Sequence, residues 1–404
     1  MTYLIFLYIL SPRYIITIMN GKNIILYNIN EPEIKCLANK YQIYDCDYDQ
    51  SKKYNNHIIL VCVCFSIDTR NDLMIAGYNE TKLIEISKKI VSDDMKLILR
   101  QKNAKLLLFD GWEIMNLDIC HNLNYFLTQI LKLSPDKIII SYCDIFSNYK
   151  SNFKIISYDW PYLRHKLNFN ENDVTTIGSK KSRHLVMLNR RINMERFITC
   201  MHIYSRYKNK SYISYIQNVI PTQIDAINFC KSCNVKMMQN EYEKFIKDLP
   251  LTLDSNDFFK VEWFNTKNIK NILDDSYIML TFETNCYNDT RLQVSEKTYK
   301  AIYSGMPFIL FACSSGILNH LKKLGFKTFS PLINEDYDNA MPYQKRFNLL
   351  IKEIDRIMCL SLEKMHELYL QCVPIINHNL EILKKIDNIP DLITGDDKLL
   401  NLQL

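Results

Sequence analysis

The stretch Ser295-Glu296-Lys297-Thr298 combines residue types that hold a phosphate at the start of a helix. It follows an apolar run, Tyr277–Phe282, then the carboxylate Glu283 and a polar loop over 284–294. Ser295 is a good N-cap, so the spacing predicts a helix over Glu296–Tyr303. A helix N-terminus offers unpaired N–H groups and a partial positive charge, which suits an anion. Lys297 in the first turn is unfavourable against that charge, and a bound pyrophosphate would offset the cost. Arg291 adds a planar fork for phosphate oxygens. Glu296 offers an acceptor for ribose or sugar hydroxyls. A solvated Glu-Lys pair behind an ordinary N-cap fits the same residues.

A second patch, Leu188-Asn189-Arg190-Arg191-Ile192-Asn193-Met194-Glu195-Arg196, leaves a strand and enters a helix. Three guanidiniums near a strand end, Arg190, Arg191 and Arg196, make a diphosphate clamp. Ordinary surface arginines are the alternative.

Taken together, Phe282-Glu283, Val294-Ser295-Glu296-Lys297 and Gly305-Met306-Pro307 resemble the donor-site motif of the alpha-1,3-fucosyltransferase family. That family has Phe-Glu-Asn, then Thr-Glu-Lys, a helix, and a small residue with Pro before a strand. The Leu324-Gly325-Phe326-Lys327-Thr328-Phe329 and Asn334-Glu335-Asp336-Tyr337-Asp338 stretches resemble a set of poorly characterised proteins of large DNA viruses and phages, over roughly residues 184 to 385. The resemblance implies a GT-B glycosyltransferase, inverting and independent of metal, with a nucleotide diphosphate sugar as co-substrate and no other cofactor. It implies that Arg196 contacts the donor diphosphate, and it suggests GDP-fucose, with another nucleotide sugar equally open. The expected donor set is Arg190, Arg191, Arg196, Glu283, Arg291, Ser295, Glu296 and Lys297.

An inverting transfer needs a carboxylate to take the acceptor hydroxyl proton. Leu106-Leu107-Leu108-Phe109-Asp110-Gly111-Trp112-Glu113 puts two carboxylates just past a buried strand. It resembles the acceptor-side Glu element of the fucosyltransferases, except that Ile114-Met115 stands where they continue Ser-Pro. Glu113 is the candidate base, with Asp110 behind it; a polar turn closing the strand is the alternative.

Other motifs weigh less. Asp45-Cys46-Asp47 is a D-x-D, the metal-holding signature of GT-A transferases, but no nucleotide-binding half precedes it. The acidic Asn334–Asp338 stretch reads as a loop or an acceptor-site wall. The C-x-x-C pair Cys230 and Cys233 lacks a second pair at zinc-like spacing. Tyr158, Trp112 and Trp160 are candidates to stack on sugars, with packing the default. The eight glycines are too scattered for G-x-G-x-x-G or a P-loop, which argues against a standard NAD fold and a P-loop nucleotidase.

The elements that position these residues alternate between strand and helix. Strands are predicted at Ile24–Ile29, His57–Phe65, Lys105–Phe109, Lys137–Tyr142 and Phe153–Tyr158, with helices at Glu80–Val91 and Leu117–Leu131. Several of these strands are continuous apolar runs, the mark of a buried parallel sheet. A polar stretch over 168–181 reads as an interdomain linker. Alternation then resumes with strand His184–Leu188, helix Asn193–Tyr207, strand Tyr277–Phe282, helix Glu296–Tyr303, strand Pro307–Phe311 and helix Ser315–Leu324. The expected fold is α/β: GT-B-like, two Rossmann-like doubly wound domains with an interdomain cleft. The predicted divisions are an apolar leader at 1–18, an acceptor domain at 19–175, a nucleotide-sugar domain at 176–345 and a helical tail at 346–404.

Composition fits that picture. The chain has 404 residues, 48% apolar and 23% charged, so it is globular and long enough for two domains. Its net charge of +6 is spread evenly, which argues against nucleic acid as partner. Thirteen scattered cysteines suit a reducing, cytoplasmic compartment, the host's if the chain is viral. The leader is broken by Ser11-Pro12-Arg13, which argues against a membrane span; a peripheral membrane contact and initiation at Met19 both stay open. The expected partners are a nucleotide diphosphate sugar and a glycan or glycoprotein acceptor. The rival readings are a non-catalytic nucleotide- or glycan-binding protein on the same scaffold, and a glycosyltransferase that modifies nucleic acid.

Overall fold

The computed structural model describes residues 14–19, 22–27, 57–64, 67–102, 104–110, 122–142, 153–157, 169–189, 193–215, 220–237, 239–253, 269–283, 294–312, 314–339 and 342–384. The chain divides into two compact units. One comes mainly from Met1–Asp144 and Asn148–Arg164, the other mainly from His165–Asn388. Each is mixed α/β around a largely parallel sheet.

Unit 1 runs β1 (Tyr14–Met19), β2 (Lys22–Tyr27), β3 (His57–Cys64), α1 (Ile67–Ala76), α2 (Glu80–Ile90), α3 (Asp93–Leu99), β4 (Ala104–Asp110), β5 (Ile138–Tyr142) and β6 (Lys154–Ser157). The strands lie side by side in chain order, β1-β2-β3-β4-β5-β6. β1 is antiparallel to β2, and the other neighbours are parallel. A doubly wound sheet reverses its strand order once. The described strands of unit 1 make no such reversal, which departs from the doubly wound expectation for this half. β1 also draws residues 14–18, expected in the apolar leader, into the sheet; their Ile- and Thr-rich sequence suits a strand. Asn79 and Ser92 cap α2 and α3 through their side chains. The core gathers Val61, Leu83, Ile98, Leu106, Leu108 and Ile138 with their buried neighbours.

Unit 2 runs β7 (Arg183–Asn189), α4 (Met194–Tyr207), β8 (Ser211–Tyr215), α5 (Gln223–Ser232), α6 (Gln239–Lys247), α7 (Lys270–Asp274), β9 (Ser276–Phe282), α8 (Glu296–Tyr303), β10 (Phe308–Phe311), α9 (Ile317–Lys323), α10 (Asp336–Asn339), α11 (Tyr343–Met358) and α12 (Leu362–Lys384). Its sheet is parallel throughout, in the order β10-β9-β7-β8. The chain steps from β7 out to β8, returns to the other side of β7 as β9, and continues outward to β10. The order therefore reverses between β7 and β9. β9 is buried at all seven positions and β10 at all four, as continuous apolar runs covered on both faces should be.

The polar stretch over 168–181, expected as an interdomain linker, falls within unit 2, and its described residues bond to other elements of that unit. Tyr303 donates its hydroxyl to Asp173 at 3.0 Å and accepts from the Asn170 amide at 2.9 Å. Lys181, 6% exposed, donates to the Asp274 carbonyl at 2.7 Å. Its polar residues bond to protein, which composition alone cannot distinguish from bonding to water. The C-terminal stretch is helical over its described residues, and it packs into unit 2, where Phe347, Leu350, Ile354, Ile357, Cys372 and Leu383 are wholly buried. Among the described residues, no helix is long and apolar enough to cross a membrane.

Candidate anion site at the β7–β9 switch point

In open α/β sheets, ligands bind in the crevice beyond the carboxyl ends of the strands where the strand order reverses. In unit 2 that point lies between the ends of β7 and β9, at Asn189 and at Phe282-Glu283. Two helix starts converge on it. α4 follows β7, and Arg196 in its first turn donates to the Phe282 carbonyl at 2.5 Å. α8 follows β9, and its cap residue Ser295 is bonded to Glu283. Both helix starts are capped through side chains: Asn193 accepts from the Arg196 amide at 2.8 Å, and Ser295 from the Lys297 amide at 3.3 Å. The N-cap and the span of α8 agree with the sequence prediction.

Glu283 is 1% exposed. One carboxylate oxygen accepts from the Ser295 amide at 2.9 Å and from the Thr298 hydroxyl at 2.6 Å. The other accepts from the Ser295 hydroxyl at 2.5 Å. Hydrogen bonds to a buried carboxylate contribute about 1.5–3 kcal/mol each, so the anchor is firm. Glu283, expected among the donor-binding residues, turns these contacts inward. It fixes where the first turn of α8 begins.

Lys297 is the cation of this turn that solvent reaches, with its side chain 28% exposed. Its ammonium donates to Glu296 at 2.7 Å and to the Ser295 hydroxyl at 3.2 Å. Burial works against the charge of Glu296, but the Lys297 ammonium beside it and the hydrogen bond between them outweigh this. They hold the carboxyl below its ordinary pKa. Arg196, by contrast, is 3% exposed, and its guanidinium bridges the end of β9 to α4.

Sequence reasoning missed Glu195, beside Arg196 in the first turn of α4. It has no exposed surface. One carboxyl oxygen accepts from the Tyr343 hydroxyl, and the other has no hydrogen-bond partner. Burial pushes its pKa up, against the Tyr343 hydrogen bond. An acid in the first turn of a helix ordinarily reads as a solvated partner of the dipole, so the sequence carries no signal of its burial.

Of the remaining expected residues, Arg190, Arg191, Arg291 and Glu113 lie outside the described residues. So do the Asp45/Asp47 pair, Trp112, Trp160 and Tyr158. Asp110 closes β4, and its side chain is likewise outside them. In the acidic Asn334–Asp338 stretch, Asp338 accepts from the Leu318 amide at 2.9 Å at the start of α9, and Glu335 accepts from Thr328 at 3.0 Å. That is a loop-fixing arrangement. Cys230 and Cys233 are buried free thiols at the end of α5. Among the described residues, no group of three or more His, Cys, Asp or Glu side chains is placed to hold a metal ion. In comparisons with known proteins, no family profile and no curated protein matches this chain.

Proposed function

We propose that this chain is a nucleotide-sugar glycosyltransferase that binds its donor diphosphate at the β7–β9 switch point of unit 2. One observation carries the reading: two capped helix starts converge on the end of β9, with a solvent-reachable lysine in the first turn of one of them. Transfer from a nucleotide diphosphate sugar needs stabilisation of the negative charge that grows on the leaving diphosphate. The positive end of the α8 dipole and the Lys297 ammonium offer it from fixed positions. Arg190, Arg191 and Arg291 add guanidiniums in this reading. Arg196 holds the helix start against the strand end. Glu296 orients the donor through its hydroxyls, and Glu113 or Asp110 takes the acceptor proton.

The resemblance of the Phe282–Pro307 stretch to the alpha-1,3-fucosyltransferases supports GDP-fucose as the first donor to test. It also supports a GT-B arrangement, an inverting course without metal, and a glycan or other hydroxyl as acceptor.

The test is thermal unfolding of the purified chain with a panel of nucleoside diphosphates and nucleotide sugars, repeated with Lys297→Ala. Ligand at about a hundred times its Kd stabilises by about 2.7 kcal/mol, a rise in Tm of roughly 5 °C or more. The expected outcome is such a rise with one nucleoside class, reduced or lost in the variant. No rise with any nucleotide in folded protein would overturn the donor-site reading. A rise without turnover on any acceptor would favour the non-catalytic binding protein.

A further inference from the structure

β8 is the outermost strand of the unit 2 sheet, with β7 on its inner side. On the outer side Tyr215 exchanges both backbone hydrogen bonds with Leu251: its amide donates at 2.8 Å and its carbonyl accepts at 3.0 Å. Backbone groups alternate from one side of a strand to the other, so the amides and carbonyls of Ile213 and Ser211 point outward like those of Tyr215. In an antiparallel ladder the next such pair would join Ile213 to Leu253. Among the described residues that pair is not made, and the bridge at Leu251 stands alone. The chain splays away after Leu251 instead. A cleft of about 360 Å³ opens there against the β8 edge, walled by Tyr204, Tyr212, Ile213, Leu251 and Leu253. A strand edge with unpaired backbone groups and room beside it is a template for another strand.

Charge narrows what can add there. Among the described residues lining the cleft, Lys208 alone is charged. Its side chain is 58% exposed, and its ammonium lies 4.5 Å from the centre of the Tyr204 ring. Lys244 and Lys247 are exposed on α6, just before Asp248. The hydrogen bond from Tyr204 does most to hold the Asp248 carboxyl below its ordinary pKa, and Lys208, Lys247 and Lys244 add to it, so the three lysines gather near one carboxylate. Counted against Asp248 and Glu243, they leave the rim positive.

We propose that the outer edge of β8 is a docking site for an extended, acidic segment of a partner protein: the segment adds as a strand paired to Ile213 and Ser211, its apolar side chains fill the cleft, and a carboxylate meets Lys208. Docking here does not depend on nucleotide binding at the switch point. The segment would alternate apolar and acidic residues, because successive side chains of a strand leave on opposite faces.

Fluorescence anisotropy with the full chain and three labelled hexapeptides tests this. One alternates valine and glutamate, one alternates valine and lysine, and the third is the valine–glutamate peptide with every backbone amide N-methylated. N-methylation keeps the side chains and the charge but removes the amide donors. The valine–glutamate peptide should bind, and N-methylation should weaken it about tenfold or more, through the loss of its strand hydrogen bonds. The valine–lysine peptide should bind about tenfold more weakly. Lys208→Glu, at an exposed position, should keep the Tm of the wild-type chain and lose about three- to tenfold for the valine–glutamate peptide. No binding of that peptide at about 1 mM would overturn the proposal. So would equal binding of the N-methylated form, or an affinity unchanged in Lys208→Glu. Equally tight binding of a single-stranded oligonucleotide that displaces the peptide would show a general polyanion surface, and would overturn it as well.

Discussion

Glu195 is the residue at which the cost of this architecture can be measured. A carboxyl with no exposed surface and one unpartnered oxygen is held in the first turn of α4, and burial raises its pKa above its ordinary value of 4.5. The folded state therefore keeps the proton to higher pH than the unfolded chain does. Between the two pKa values the native state binds more protons, so stability falls as pH rises from about 4.5, and the full penalty remains above the folded pKa. Glu195→Gln removes the charge and leaves an oxygen to accept from Tyr343. We expect the variant to be more stable at neutral pH by on the order of 1 kcal/mol, or about 2–4 °C in Tm. The gain should shrink toward pH 4.5, and a melting series from pH 5 to 8 checks its slope. A gain that stays flat with pH would show that ionisation of Glu195 is not its source. At this scale the Ser295 cap and the charged helix start behind it were legible, because a cap followed by charges is a local pattern. It hid the inward role of Glu283 and the burial of Glu195, because both depend on partners far along the chain.

Local patterning carries over to the elements. The starts of α4 and α8 were legible from Asn193 and Ser295, and β9 from an unbroken apolar run. The β1–β2 hairpin was passed over, although Asn20-Gly21 between its strands is a strong two-residue turn signal. The bonding of the stretch over 169–182 was not legible, because polar residues look alike whether they bond to water or to protein. Gly305 shows how closely that stretch fits. Its φ is +66°, a conformation L side chains rarely adopt, and a Cβ there would lie 2.8 Å from Val174 Cγ1. Gly305→Ala should destabilise the protein by about 2–4 kcal/mol, combining the left-handed backbone with overpacking. Adding Val174→Ala relieves the overpacking and leaves the backbone contribution. Denaturant midpoints of the single and double variants check this. If the double variant is no more stable than Gly305→Ala, Val174 is not what the glycine accommodates.

For the molecule as a whole, alternating strands and helices fix the class but not the strand order, since a sheet laid down in one direction and a doubly wound sheet share the same alternation. The order emerges only from which strands pair, and it differs between the units: unit 1 advances without reversal, whereas unit 2 reverses between β7 and β9. That difference is why the proposed donor site is looked for in unit 2. Every described residue of the candidate site lies within His165–Asn388, and this stretch has its own parallel sheet and a buried core reaching into α11 and α12. A fragment spanning those residues is therefore expected to unfold in one cooperative step. It should also keep the nucleotide-dependent rise in Tm of the full chain to within about 2 °C, because the same contacts stabilise the same unit. Transfer to an acceptor should be absent from the fragment, which lacks Asp110 and Glu113. A fragment that folds cooperatively but shows no rise would assign donor contacts to residues outside it, and the switch point would no longer account for binding. A fragment that keeps both binding and transfer would instead remove Asp110 and Glu113 from the reaction.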